Sequence, residues 1–319
     1  MNDDREQTPD LETIRRASAR IASYAHRTPV VTSAAVDAAT GVAVFFKCEN
    51  LQKVGAFKFR GAVNAVFSLG DEEAARGVAT HSSGNHAQAL ALAARLRGIP
   101  ARVVMPRTSA APKKAAVAGY GAEIVECEPD LAARESTLDA LLERTGAVAI
   151  HPYDDYRIIA GQATATVELL EDVPGLDAVL VPVGGGGLLS GTALAVHHLS
   201  PGTRVIAAEP AGADDAFRSL AAGRIIPSQS PRTIADGLLT SLGRRNFPII
   251  QRHVERIVTV SETGIIHAMR MIWERTKLIV EPSAAVPLAA LLECAVDLRG
   301  LRAGIILSGG NVDLDRLPW

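Results

Sequence analysis

Thiol chemistry has little to work with in this chain. The three cysteines among 319 residues, Cys48, Cys127 and Cys294, lie far apart and form no C-x-x-C pair. That spacing indicates neither a disulfide framework nor a thiolate zinc site, and a reducing cytoplasm is the expected setting. No uninterrupted apolar run reaches the ~18–20 residues that cross a bilayer. The opening MNDDREQTPD is polar and acidic rather than basic-then-apolar, so it does not read as a secretory signal. An excess of one charge is missing as well: 33 basic residues face 35 acidic ones, a net of −2. That balance gives no footing for nucleic acid or an anionic membrane, and small molecules are the expected partners. Solenoid repeats, low-complexity segments and the metal-binding spacing H-E-x-x-H are also absent.

What is present is an ordinary globular composition, 48% apolar, in a chain long enough for two compact domains. From about Gly77, short β-type runs alternate with alanine-rich helical segments. The runs Gly77–Thr80, Ala101–Met105, Ala122–Glu126 and Ala147–Ile150 predict strands, with helices near 85–97, 110–119 and 131–145 between them. Ala178–Val183, Arg204–Ala208 and Ala303–Leu307 continue the series, each almost wholly apolar, as expected of parallel strands covered on both faces. An amphipathic helix near 11–24 and a strand at 43–47 come first. The fold class is therefore α/β, with two open, twisted parallel-sheet domains. Residues 1–69 and 151–319 form the expected large domain, and 70–150 a smaller, mobile one.

Lysine is the scarce basic residue, six against 27 arginines, and one of the six stands in QKVGAFKFRGA, residues 52–62. An amine attacks a carbonyl only when unprotonated, and apolar neighbours such as Phe57 and Phe59 favour that form, so Lys58 is the leading nucleophile. In VPVGGGGLLSG, Gly184–Gly187 follows a strand and opens a helix, so unhindered N–H groups and the helix dipole converge on a phosphate. As a mere connector, four consecutive glycines would lose backbone entropy with nothing returned. The dinucleotide spacing G-x-G-x-x-G fails at Leu189 and Ser190, although Glu209 ends the next strand where a ribose-binding acid would sit. SSGNH sets Ser82, Ser83 and Asn85 at a helix N-terminus, a place for a substrate carboxylate or for a plain cap. Ser308, in LSGGN, follows a strand and can bond a pyridine nitrogen. Together these motifs suggest pyridoxal phosphate. A hydroxyl does not keep that nitrogen protonated, so the ring is a weaker electron sink and elimination fits better than transamination. Glu209, Asp214 and Asp215 offer hard oxygen ligands, though alone they read as solvated acids. The pair His197–His198 lacks a spaced third ligand and reads as structural or exposed.

Six motifs, QKVGAFKFRGA, SSGNHAQAL, VPVGGGGLLSG, TIADG, VEPSAA and LSGGNVD, occur in order over nearly the whole chain. On them the sequence resembles the fold-type II pyridoxal-phosphate enzymes, tryptophan synthase β-like in fold, and among these the serine racemase and serine/threonine dehydratase group. The resemblance implies that Lys58 carries the cofactor covalently and takes the substrate α-proton. Phe57 and Asn85 would flank the ring, Gly184, Gly185, Gly186, Gly187 and Leu188 cradle the phosphate, Ser308 hold the ring nitrogen, and Gly237 and Glu281 line the pocket. Ser82, Ser83, Asn85 and His86 would receive the substrate carboxylate, with Ser83 exchanging a proton on the face opposite Lys58, as in the racemases. Arg134 would meet an acidic substrate group, and Thr240 lies near the substrate. Glu209, the Ala213 carbonyl and Asp215 would hold a divalent cation, magnesium or else calcium or manganese.

The implied activity is β-elimination of L-serine or L-threonine to ammonia and a 2-oxo acid, with serine racemisation, by a cytoplasmic homodimer. A threo-3-hydroxyaspartate dehydratase is the alternative; a β-replacement enzyme and a non-catalytic cofactor-binding protein stand further behind. Three departures bear on substrate preference: Ala56 replaces the serine common in the lysine motif, Tyr153 stands where mammalian racemases have asparagine, and Thr240 replaces a serine.

Overall fold

A computed structural model describes residues 7–82, 84–109 and 111–319. Ten strands order the chain: β1 (Val30–Val31), β2 (Ala43–Lys47), β3 (Val78–His81), β4 (Ala101–Pro106), β5 (Glu123–Cys127), β6 (Val148–Ala149), β7 (Ala178–Pro182), β8 (Arg204–Pro210), β9 (Arg256–Val260) and β10 (Arg302–Ile306). They make a six-stranded sheet, in the order β1-β2-β10-β7-β8-β9, and a four-stranded sheet, β5-β4-β3-β6. Every pairing is parallel except β1 with β2.

Parallel strands need crossovers, and helices supplying them cover both faces of a sheet. In β7 the alternation is direct: Ala178 and Leu180 pack into one core cluster, Val179 and Val181 into another. The four-stranded sheet divides likewise, with Val78, Val103 and Met105 in one cluster and Ala79 and Val104 in its opposite. The sequence reading anticipated these strands to within one or two residues but not β1 or β9. β9, at the sheet edge, exposes part of its RIVTV run and so lacks the continuous apolar signature of the inner strands. The first helix is shorter than expected, Leu11–Ile21.

Two features fix the helix Lys58–Phe67 against the helix Tyr156–Asp172. A Cβ added at Gly161 would stand 2.6 Å from the Cα of Gly61, so the two backbones touch where no larger residue fits. Beside this contact Arg60, fully buried, makes two bidentate pairs. Its Nε and Nη2 reach Glu49 at 2.7 and 2.8 Å, and its Nη1 and Nη2 reach Glu168 at 2.7 and 2.8 Å. Lys47 completes a two-plus, two-minus cluster by donating to Glu168 at 2.7 Å. A buried charge is tolerated only when its hydrogen-bonding groups are satisfied in this way. Among the described residues no helix is long and apolar enough to cross a membrane.

Candidate active site

Lys58 opens its helix immediately after a turn tied to the end of β10: Ala56 forms a backbone bridge with Gly309, and the Phe57 N–H donates to the Ser308 carbonyl at 3.0 Å. Its half-buried Nζ donates to the Pro152 carbonyl at 2.8 Å and lies 5.1 and 6.0 Å from the ring centroids of Phe57 and Tyr153. Burial pulls its pKa from the ordinary lysine range down to about 8, against the opposing pull of the Glu281 charge. Lys47, also buried, has its amine taken up by Glu168 and the Thr28 carbonyl. Lys58 therefore has the nucleophile's environment that Lys47 lacks.

The glycine loop lies between β7 and the helix Gly187–Leu199. Among the described residues its four glycine N–H groups donate to no protein acceptor, while the carbonyl of Gly185 accepts from Gly243 N–H at 3.0 Å and from Asn246 Nδ2 at 3.1 Å. The loop is thus anchored through its oxygens and keeps its donors free. Side chains have no room here: a Cβ on Gly185 would meet the Tyr153 ring at 2.3 Å, and Gly186 has φ +94°. The packing of Tyr153 on this loop was not legible in the sequence. Asn246 Nδ2 also holds the Tyr153 carbonyl at 3.1 Å, and burial raises the phenol to about 12, so it stays a neutral hydroxyl. Thr240 lies against the same lip, its Oγ1 3.4 Å from where a Gly184 Cβ would stand.

Ser308 is buried at the carboxyl end of β10. Glu281 N-caps the helix Pro282–Leu292 and is buried beside Gly309 and Gly237. Burial pushes its carboxyl up to about 7, opposed by the Asn85 amide, whose Nδ2 lies 3.1 and 3.2 Å from the two carboxyl oxygens. Asn85 begins the helix Asn85–Arg97 of the four-stranded unit, so this contact joins the two sheets.

Around that helix N-terminus stand three imidazoles. His86 is buried, with Nε2 3.2 Å from the Ile150 carbonyl and Nδ1 without a partner; burial holds it well below the usual histidine range. His151 is pushed down to about 4, its Nδ1 accepting from Asp154 N–H at 2.8 Å. His81, also lowered by burial, meets the His151 ring edge-on at 6.2 Å. All three are neutral at pH 7, so none supplies positive charge to the site. Arg134, near enough for its charge to act on His81, uses Nη2 on the Pro129 carbonyl at 3.1 Å and leaves its buried Nε unpaired. Ser82 donates its N–H to the Val104 carbonyl. Ser83 lies outside the described residues.

At the carboxyl end of β8, Glu209 and Asp215 are both buried. Glu209 accepts from Phe217 N–H at 2.6 Å and Ala216 N–H at 3.3 Å, yet burial drives it up to about 8; Asp215, also raised by burial, stands at about 6 with Oδ2 unpartnered. The neighbouring cation Arg218 pairs with Asp214 instead. Ala213 is buried in the turn between them. No group of three or more His, Cys, Asp or Glu that could hold a metal occurs among the described residues.

A family model described as pyridoxal-phosphate dependent enzyme matches residues 21–309. The chain belongs to this pyridoxal-phosphate dependent enzyme family. It is 52% identical to a beta-hydroxyaspartate dehydratase of Paracoccus denitrificans, over 98% of this chain and 99% of that protein. The crystal structure of serine racemase from Dictyostelium discoideum is 49% identical, with a TM-score of 0.93 over 97% of this chain and 100% of that one. The crystal structure of a T.th. threonine deaminase is 48% identical, with a TM-score of 0.91 over 96% and 99%.

The residues present fit the pyridoxal-phosphate group that defines the family. Its phosphate needs several donors without side-chain obstruction, which the four free glycine N–H groups at a helix N-terminus provide. Its aldehyde needs an amine whose pKa is depressed, which Lys58 has. Its ring needs apolar walls, and the Phe57 and Tyr153 rings both lie near that amine.

Proposed function

We propose that this pyridoxal-phosphate enzyme catalyses β-elimination from a 3-hydroxy amino acid, L-serine or L-threonine, giving ammonia and a 2-oxo acid, and also racemises serine. The observation that carries the reading is Lys58, a half-buried lysine with its pKa at about 8, set with a free glycine cradle in one cleft. When bound, the cofactor supplies an electron sink for the pair left behind as the α-proton departs. Gly184–Gly187 and Leu188 hold its phosphate, Ser308 its ring nitrogen, Asn85 its phenolic oxygen, and Gly237 and Glu281 the rim. Lys58 would hold it covalently and, once the substrate amino group has displaced the lysine nitrogen, would take the α-proton as a neutral amine. The N–H groups opening the helix Asn85–Arg97 receive the substrate carboxylate, with Ser82 and Ser83. The neutral ring of His86 adds no charge there. Ser83 delivers the proton on the other face.

A threo-3-hydroxyaspartate substrate is the second reading. It is favoured by the unpaired, buried Nε of Arg134 and by the hydroxyaspartate dehydratase at 52% identity. The buried pair Glu209 and Asp215, which forms no ion pair with a basic side chain among the described residues, supports a divalent cation held there with the Ala213 carbonyl. Residues 70–150 form a unit that closes over the substrate. The bond from Asn85 to Glu281 and the 3.0 Å ion pair of Lys113 with Asp236 support such closure, since each links this unit to the rest of the chain. The protein works as a homodimer, and its three unpaired cysteines suit a cytoplasmic setting.

The deciding experiment supplies the purified protein with pyridoxal phosphate and magnesium and follows 2-oxo acid and D-amino acid from L-serine, L-threonine and threo-3-hydroxyaspartate. Oxo acid from serine or threonine is expected, and its restriction to hydroxyaspartate would establish the second reading. Lys58→Ala should abolish both turnover and the visible absorbance, whereas Ser83→Ala should abolish racemisation and spare part of the elimination. Equal loss of both activities in Ser83→Ala would refute the two-face assignment.

A further inference from the structure

Four residues from four separate segments form one hydrogen-bonded chain across the cleft. Val54 lies four residues before Lys58 with φ +58°, ψ +14°, a left-handed conformation that β-branched residues very rarely adopt. Its carbonyl accepts from Asn311 Nδ2 at 2.7 Å. The same Asn311 Nδ2 donates to Asn85 Oδ1 at 2.9 Å, and Asn85 Nδ2 faces Glu281 at 3.1 and 3.2 Å. Asn311 is seated there by close packing: a Cβ on Gly55 would stand 2.6 Å from its Oδ1, and Gly310 N–H donates to the Gly55 carbonyl at 2.9 Å.

The direction of this chain follows from its first member. A backbone carbonyl can only accept, so Asn311 must turn its NH2 toward Val54, and that group's second hydrogen then points at Asn85. The Asn85 oxygen must face that hydrogen. Its NH2 is left for Glu281, with one hydrogen to spare. An asparagine amide is nearly symmetrical in shape, so without such an anchor its orientation would rest on Glu281 alone, a buried carboxyl raised toward the protonated form that can donate as well as accept.

We propose that Asn311 is a positioning residue: anchored on the strained Val54 turn, it fixes the Asn85 amide so that the site meets an N–H donor and not a carbonyl oxygen. The inference rests on the pyridoxal-phosphate reading of the cleft, in which Asn85 serves the phenolic oxygen of the cofactor. A donor stabilises that oxygen as an anion; an amide turned over would repel it. The strained turn of Val54 thereby has a role in the site, because it aims the carbonyl that sets the sequence of donors and acceptors.

The test compares the parent protein with Asn311→Asp, with Asn311→Leu, and with Asn311→Asp combined with Glu281→Gln, each titrated with pyridoxal phosphate. Visible absorbance, cofactor affinity and melting temperature are recorded. Asn311→Asp offers only acceptors and should turn the Asn85 amide over, shifting the absorbance band and weakening cofactor binding about threefold to tenfold, the effect of one solvent-accessible hydrogen bond. Asn311→Leu, which adds no charge, should shift the band in the same sense and covers the case in which Asn311→Asp fails to fold. In the double variant the amide introduced by Glu281→Gln can donate to the turned Asn85 side chain, and the carboxylate introduced by Asn311→Asp can accept from it. Its melting temperature should recover while its band stays shifted, which separates orientation from stability. A parent-like band and affinity in both single variants would overturn the proposal, as would recovery of the band in the double variant. A parent protein that acquires no visible band at all would instead overturn the cofactor reading on which the proposal rests.

Discussion

At the scale of single residues the site is built by withholding partners. Six lysines are available, and Lys47 shows what burial ordinarily demands of one: a carboxylate at 2.7 Å and a carbonyl to match. Lys58 has a carbonyl and two aromatic rings, so desolvation prevails and its pKa falls to about 8. The sign is that of any depressed amine: the neutral, reactive fraction rises as pH rises through about 8, not through 10.5. Acylation of the cofactor-free protein by an amine-directed reagent, followed peptide by peptide, should therefore show Lys58 with a midpoint near 8. A Lys58 midpoint at or above the ordinary lysine value of 10.5 would mean that the side chain is solvated and the pocket open. The histidines obey the same rule with a different result, since burial keeps His81, His86 and His151 neutral and leaves hydrogen bonding as their contribution.

Among the elements, chemistry gathers where strands end. The glycine loop leaves β7, Glu209 sits at the end of β8, and Ser308 lies just beyond β10. These are the carboxyl edges of adjacent parallel strands, from which the chain must turn toward a helix and so presents backbone N–H groups and short polar side chains together. The loop after β8 differs from that after β7 in its charge. Burial raises the two carboxyl groups there to about 8 and about 6, so a cation that favours their ionised forms would stabilise the fold. Melting in magnesium should exceed melting in a chelator by a few degrees, roughly what 1 kcal/mol gives in a domain of this size. Asp215→Asn should remove most of that difference without changing the melting temperature in chelator. A magnesium-independent melting temperature in the unaltered protein would exclude the site.

Across the whole molecule, apolar clusters pack on both faces of each sheet, yet several large apolar side chains stay exposed. Leu51, Ile279, Leu314 and Trp319 are 46%, 47%, 61% and 43% exposed. Leu51 and Ile279 are neighbours, since Asn50 Nδ2 donates to the Ile279 carbonyl at 3.0 Å, and Trp319 packs edge-on against Trp273, which in turn bonds the Val280 carbonyl. An apolar surface of this kind is expected to be covered by another chain. Ile279→Asp combined with Leu314→Asp should convert a species of twice the chain mass into one of the chain mass in light scattering. If the unaltered protein is already monomeric, the patch has some other use.

Local signals along the chain were enough for the α/β class and most strand positions, and they singled out the lysine, the glycine loop and the serine after the last long strand as candidates. Continuous apolar runs mark buried strands, and glycine runs mark close backbone approach, whatever the rest of the molecule does. Two strands escaped: β1 is only 2 residues long, and the half-exposed run of β9 at the sheet edge lacks a continuous apolar signature. Folding in three dimensions was needed to lay the Tyr153 ring on Gly185, to span Asn85 to Glu281 across the two sheets, and to set Asn311 against Val54, 257 residues away. Such contacts depend on shape and on the direction of individual hydrogen bonds between distant segments, and neither composition nor spacing along one chain records them.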